Sequence, residues 1–166
     1  MTLEQLNGLS STEAEAEFLK CCGSHVWATV MADGRPFATA EALFAKADDV
    51  SASLADLDWL EAFRAHPKIG ERKAAQSQQE QRWSSQEQSA MQSASTDTVA
   101  RLARGNQEYE AKFGFIFIVC ASGKSSDEML AMLNNRLRND PQTELSVAAQ
   151  EQKKITRLRL EKLLNQ

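Results

Sequence analysis

Strand-forming residues are scarce in this chain: six Val, four Ile and one Tyr stand against 24 Ala and 17 Leu in 166 residues. Ala and Leu lose least on entering a helix, whereas β-branched and aromatic side chains are what a pleated surface selects. Punctuation is thin too. Seven Gly and three Pro amount to about half the roughly 12% that an average protein carries. Such a chain is predicted to be all-α. Its length suits a single domain, 1–166, of about seven to eight packed helices, with enough core to need no disulfide or metal staple.

The polar inventory narrows the function classes. Two His and three Cys, two of them adjacent at Cys21 and Cys22, leave no ligand set for a zinc finger, an iron–sulfur cluster or a disulfide framework. No metal is expected. A net charge of −4 supplies no basic stripe to displace counterions from a phosphate backbone, so nucleic acid is not an expected partner. No apolar run approaches the roughly 20 residues that span a bilayer, and no membrane partner is expected. The acidic, polar first residues are unlike a signal or transit peptide, and the last three are unlike a peroxisomal tripeptide. Three cysteines without a framework suit a reducing compartment, and the cytoplasm is the expected location.

Helix signals are legible along most of the chain. Thr12 with Glu15 reads as a capping box, and Gly23 as a stop. Ser24 reads as the cap of a helix through Val26, Trp27, Val30 and Met31 that ends at Gly34-Arg35-Pro36. Further helices are predicted from about Thr39 to Asp49, and from Ser53 through Leu54, Leu57, Leu60 and Phe63. Others run from near Asp97 towards Tyr109, from Ser125 (boxed with Glu128) through Leu137, and from about Thr143 to Leu164. The stretch from Ala74 to Ser95 holds seven Gln and six Ser, with Trp83 and Met91 its only large apolar residues. By composition it is a polar linker. Phe113 to Cys120 is the one strand-like run. It has no comparable run to pair with, so it is predicted to be a buried extended connection.

Few residues can carry chemistry. His66 sits at a helix end before Pro67, which biases it out of the α region and holds it on a rigid corner. A group titrating near neutral pH there suits general acid–base work, although spacing alone favours a histidine resting on its helix dipole. His25 falls in the first turn of an amphipathic helix, where partial exposure is expected. Ser84 and Glu87 have capping-box spacing, yet the helix they would start has almost no apolar face to bury. A cap and an anion-binding helix terminus are both open readings. In the last helix, at about 100° per residue, Arg159 lies about 40° from Ile155 and Leu163 while Arg157 lies about 160° away. Arg159 therefore sits in the apolar stripe and needs a partner, either a buried carboxylate or an anionic ligand held bidentately. Trp27, Trp59 and Phe63 read as core. No Gly-rich phosphate loop, Ser-His-Asp order or Cys-x-x-Cys pair is present.

Six blocks in order resemble one family. They are Phe18–Ser24 with Trp27-Ala28, Arg35-Pro36-Phe37, His66-Pro67-Lys68-Ile69-Gly70, Trp83–Gln88, Lys112–Phe115 and Lys154–Leu160. Together they look like the 2-oxo-4-hydroxy-4-carboxy-5-ureidoimidazoline (OHCU) decarboxylases, over nearly the whole chain. That resemblance implies an all-helical, cofactor-free homodimer that converts the small molecule OHCU to (S)-allantoin and carbon dioxide in urate breakdown. It implies His66, Glu87 and Arg159 as catalytic residues. Pro67, Ser84 and Gln88 would bind substrate, together with main-chain groups of Phe115, Phe117, Ile118, Val119, Cys120 and Ala121. Within that reading Arg159 holds an anionic group of the substrate and Glu87 fixes the ureido N–H groups. His66 assists loss of the carboxylate and returns a proton to one face, while amides near Phe115 stabilise the developing oxyanion. The ring takes the electron pair released with carbon dioxide, so no cofactor sink is required. The alternatives are an enzyme for another ureido or hydantoin-type substrate and a non-catalytic helical interaction module.

Overall fold

A computed structural model describes residues 1–70 and 77–165. Those residues form nine α-helices and one short 3-10 helix, with no strand among them. The helices are α1 (Leu3–Gly8), α2 (Ser11–Cys21), α3 (His25–Asp33), α4 (Ala40–Ala52), α5 (Asp56–Arg64), α6 (Gln78–Glu87), α7 (Thr96–Phe113), α8 (Ser126–Arg136) and α9 (Pro141–Leu164). The 3-10 turn, Ser89–Ser93, follows α6. The all-α expectation holds, with α1 and α6 additional to the helices placed from the sequence. No helix among the described residues is long and apolar enough to cross a membrane.

The chain divides into two compact units, Met1–Ala62 with the part from Gln152 onward, and Phe63–Glu151. In the first, α2 packs on α3 and α3 on α4. Leu6, Phe18, Trp27, Met31, Leu43, Leu160 and Leu163 are fully buried there. The Phe18 and Trp27 rings meet edge to face at 5.9 Å, and the Trp27 indole N–H donates to the Ala47 carbonyl at 3.4 Å. Arg35 ties α1 to α3. Its guanidinium donates to the carbonyls of Leu6 and Leu9 at 2.8 and 2.7 Å, and its Nε to Ala32 at 2.9 Å, serving carbonyls that helix ends leave without partners.

In the second unit α7 packs on α8 around Leu102, Tyr109, Met129 and Leu133. The two helices approach closely because α7 has Gly105 at the contact: a Cβ there would lie 2.5 Å from Leu133 Cδ2. Leu133 is fully buried and has nowhere to retreat. Gly105→Ala is therefore expected to cost about 1–2 kcal/mol, since overpacking outweighs the helix propensity gained. That corresponds to a thermal midpoint lower by about 2–8 °C. A raised midpoint would mean that Leu133 moves aside.

Several predicted caps are displaced. The α2 box is Ser10 with Glu13, two residues earlier than Thr12 with Glu15; Glu15 instead accepts a hydrogen bond from Thr29 at 3.0 Å. The caps Ser24 and Ser125 stand as predicted, and Thr39, near which a helix was expected to begin, caps α4. Leu57, placed in the apolar stripe of α5, is 75% exposed. The predicted linker is corrected as well. Its residues from Ser77 on form α6 and the 3-10 turn, while Ala74, Ala75 and Gln76 lie outside the described residues. So do Glu71 and Arg72, which follow Gly70.

Candidate active site

α6 is a helix with little hydrophobic reason to exist. Ser77 caps it reciprocally with Glu80, and its buried residues are Trp83, Ser84 and Glu87. The chain contains Ser-x-x-Glu at 77 and at 84, and the first is the box. Ser84 and Glu87 consequently lie in the last turn of α6, which corrects the expectation that they open a helix. Neither the cap nor the N-terminal anion site fits them. What remains is a serine and a carboxylate, 7% and 8% exposed, carried inward beside one tryptophan. Burying a carboxylate is costly unless charge or hydrogen bonds compensate it.

The His66 turn meets the end of this helix. Past α5 the His66 N–H donates to the Phe63 carbonyl at 3.1 Å, and both His66 and Pro67 are buried. Lys68 pairs with Glu110 of α7 at 2.6 Å. The Gly70 N–H donates to Gln88 Oε1 at 2.8 Å, with Gly70 at φ +87°. That conformation is strained for any residue with a Cβ, which explains the glycine. The half-buried Gln88, at the α6 C-cap, thus spends its side-chain carbonyl on the turn.

The strand-like run is an irregular segment after the left-handed Gly114 that ends α7. Phe115, Phe117, Ile118, Val119, Cys120 and Ala121 are all buried. Phe115 packs on Phe63 at 5.3 Å, and Tyr109 packs on Phe115 and Phe117. Side chains replace the missing sheet. Arg136 Nη1 donates to the Ile118 carbonyl at 2.6 Å, Lys124 Nζ to the Cys120 carbonyl at 2.7 Å, and the Cys120 N–H to Glu151 Oε2 at 2.8 Å. The Cys120 amide is therefore occupied and does not stand ready for an oxyanion. Burial pushes the Cys120 thiol up, Lys124 partly offsets this, and the charges of Glu151 and Glu87 raise it further.

Arg136 is held by a network that sequence reasoning missed. Its Nε donates to Glu144 Oε1 at 2.7 Å and its Nη2 to the Tyr109 hydroxyl at 3.3 Å. Tyr109 donates to Glu144 as well, and Asn139 Nδ2 reaches Glu144 Oε2 at 2.9 Å. Burial, reinforced by Glu144, raises the Tyr109 pKa well above the phenol range, so its proton stays in place as a donor. The signal was available: Glu144 lies about 40° from Ala148 on the α9 wheel, and so falls in a buried stripe by the same reasoning applied to Arg159.

In the first unit Arg159 is 4% exposed, and its Nη1 donates to the Lys20 carbonyl in the last turn of α2 at 3.2 Å. Two buried thiols lie in its field. Burial pushes Cys21 up strongly and Cys22 to about 11, with Arg159 opposing both. Arg157 is exposed, paired with Glu161 at 2.7 Å and seated over the Phe44 ring at 3.6 Å. The wheel separated the two arginines correctly. His25, as expected, is exposed, and pairs with Glu61 at 2.7 Å. Among the described residues no group of three His, Cys, Asp or Glu is placed to hold a metal.

Residues 7–161 match the family model described as OHCU decarboxylase. The Arabidopsis thaliana "Uric acid degradation bifunctional protein TTL" is 40% identical over 153 residues, which cover 91% of this chain. The chain spans only 47% of that longer protein. The Amia calva 2-oxo-4-hydroxy-4-carboxy-5-ureidoimidazoline decarboxylase is 32% identical over 173 residues, covering 99% of this chain and 95% of its own length. A crystal structure of OHCU decarboxylase in the presence of (S)-allantoin matches with a TM-score of 0.79 at 39% identity, over 90% of this chain and 98% of that one. With the family model matched over residues 7–161 and a full-length relative 32% identical, the chain belongs to the OHCU decarboxylase family.

Proposed function

We propose that this chain is a carboxy-lyase that converts OHCU to (S)-allantoin and carbon dioxide in urate degradation, as a cofactor-independent cytoplasmic homodimer of one domain per chain. The observation that carries the reading is α6. A nearly apolar-free helix buries Ser84 and Glu87 and is hydrogen-bonded at its end, through Gln88, to the turn that presents His66. Val26 and Val30, exposed one turn apart on α3, are apolar surface that a second copy would cover.

The reaction exchanges one bond for another. The carboxylate leaves as carbon dioxide, its electron pair passes into the ring, and one proton returns to a ring carbon. Glu87 accepts hydrogen bonds from the ureido N–H groups and so fixes the ring face. His66 assists the departure of the carboxylate and supplies the proton from one side, which sets the S configuration. Arg159 holds an anionic group of the substrate through its planar fork. Pro67 and Phe115 form apolar walls, and Ser84 and Gln88 add polar contacts.

The test is a stopped assay with freshly generated OHCU, run against hydantoin and allantoin as substrates. Turnover of OHCU to (S)-allantoin well above spontaneous decay supports the reading. Turnover of only the other ureido compounds favours a sister activity, and none at all favours an interaction module. Within the assay, Glu87→Gln is expected to keep its thermal midpoint, because the amide has the carboxylate's shape and hydrogen-bonding reach without a buried charge, while kcat/KM falls at least tenfold. Arg159→Lys is expected to lower kcat/KM by about 10²-fold, as a point charge replaces a bidentate fork, with Arg157→Lys nearly silent. Lost stability with unchanged kinetics would reduce Glu87 or Arg159 to a structural part.

A further inference from the structure

Two of the sequence blocks meet within the first unit, where the turn that ends the Phe18–Ser24 block bonds to the face of α9 that carries Arg159. That face holds a buried polar stripe. At about 100° per residue, Gln152, Thr156 and Arg159 fall within about 60° of one another. They are 0%, 4% and 4% exposed. Apolar side chains at 152 and 156 would bury at less cost, so packing does not account for the polar choice.

The order of the hydrogen bonds does account for it. Gln152 Nε2 donates to Thr156 Oγ1 at 3.2 Å. A hydroxyl that accepts there turns its proton elsewhere, and Thr156 hydrogen-bonds the Cys22 thiol, which is 1% exposed. The Ser24 N–H donates to the same sulfur. In a continuing helix that N–H would reach the carbonyl four residues back, which is that of Lys20. The chain instead leaves the helix at Cys22, which is extended at φ −139° and ψ 119°. Arg159 Nη1 takes the place of the Ser24 N–H and donates to the Lys20 carbonyl at 3.2 Å. The negative end of α2 favours a cation there. Thr156 to Cys22 and Arg159 to Lys20 are thus two bonds, three residues apart on α9, that pin the guanidinium against the end of α2.

We propose that Cys22 and Thr156 are positioning residues for Arg159, which set the end of α2 as the seat of its guanidinium and so fix the fork for an anionic group of the substrate. The assignment rests on the decarboxylase reading above and deepens it. A guanidinium matches a carboxylate with two parallel bonds only when its plane is fixed, and the seat supplies that constraint. Cys22, which the decarboxylase reading leaves without a task, turns the Ser24 N–H aside and anchors Thr156.

The test uses the full-length protein and freshly generated OHCU. Cys22→Ala removes the sulfur and leaves the Gln152–Thr156 bond, whereas Thr156→Val keeps the shape and loses the hydroxyl. Each is expected to raise the OHCU KM about five- to tenfold with kcat within about twofold, because a displaced clamp weakens binding first. Either variant alone suffices if the other does not fold. Cys22→Ser and Thr156→Ser keep a hydrogen-bonding group in place and are expected to return KM to within about twofold of wild type. In an Arg159→Lys background, Cys22→Ala and Thr156→Val are expected to change kcat/KM by less than about twofold, since the fork they position is gone. A merely structural role would lower activity equally in both backgrounds, and additive losses of that kind overturn the assignment. A wild-type KM in both Cys22→Ala and Thr156→Val overturns it too. An Arg159→Lys protein with wild-type kcat/KM instead overturns the clamp, and a wild-type protein without OHCU turnover overturns the decarboxylase reading; either takes this assignment with it.

Discussion

Replacing His66 with alanine is expected to lower OHCU turnover by about 10²–10⁴-fold, the range that a positioned general acid or base contributes, while leaving the protein folded. The expectation of an intact fold comes from how the turn is held. Its position depends on the Lys68–Glu110 pair, on the Gly70 N–H to Gln88 bond and on Pro67, none of which involves the imidazole. The variant also tests stereochemistry. Without a protein group to return the proton, residual product takes its proton from solvent, and its enantiomeric excess, read by circular dichroism of the allantoin formed, is expected to collapse. Asparagine at the same position keeps polarity but has no ring nitrogen to give or take a proton, and is expected to behave as alanine does. Stereospecific (S)-allantoin at the wild-type rate from either variant would remove His66 from the mechanism.

How legible the molecule was in its sequence depended on which force decided each element. Where an amphipathic stripe and a side-chain cap agreed, as in α3 from Ser24 and α8 from Ser125, the elements lie where they were predicted. Where two caps of equal spacing competed, local rules could not choose. Ser10 displaced Thr12, and Ser77 displaced Ser84, because the choice of helix start is made by which downstream face finds a place in the core. α6 was the hardest element to read because its buried face is mostly polar. Its one large apolar anchor, Trp83, is a single residue, and periodicity needs several. The extended segment shows the reverse case. Its run of Phe, Ile and Val was plain, but the Arg136, Lys124 and Glu151 side chains that satisfy its backbone come from 4 to 31 positions away in sequence. Arg159 was readable because one helix wheel decides burial; its chemistry entered only through the resemblance.

Arg136→Met is expected to cost about 3–5 kcal/mol, the range for removing one partner of a buried ion pair, and to lower the thermal midpoint by about 6–20 °C. The damage is larger than one lost bond. Glu144, with a side chain that has no exposed surface, keeps among the described residues Tyr109 and Asn139, while the Ile118 carbonyl loses its donor. An unpaired buried carboxylate escapes part of this penalty by binding a proton, so the loss of stability is expected to shrink as pH falls and to grow as pH rises. Adding Glu144→Leu to Arg136→Met removes the stranded charge. The double variant is therefore expected to be more stable than Arg136→Met alone, by an interaction energy of about 1–3 kcal/mol. It is not expected to recover the wild-type midpoint, since Tyr109, Asn139 and the Ile118 carbonyl all lose a partner in it. Denaturant midpoints across the four proteins of the cycle, each at two pH values, measure this directly. Additive losses, with no dependence on pH, would show that Glu144 and Arg136 stabilise the α7–α8 unit independently and that the pair is not what holds the segment.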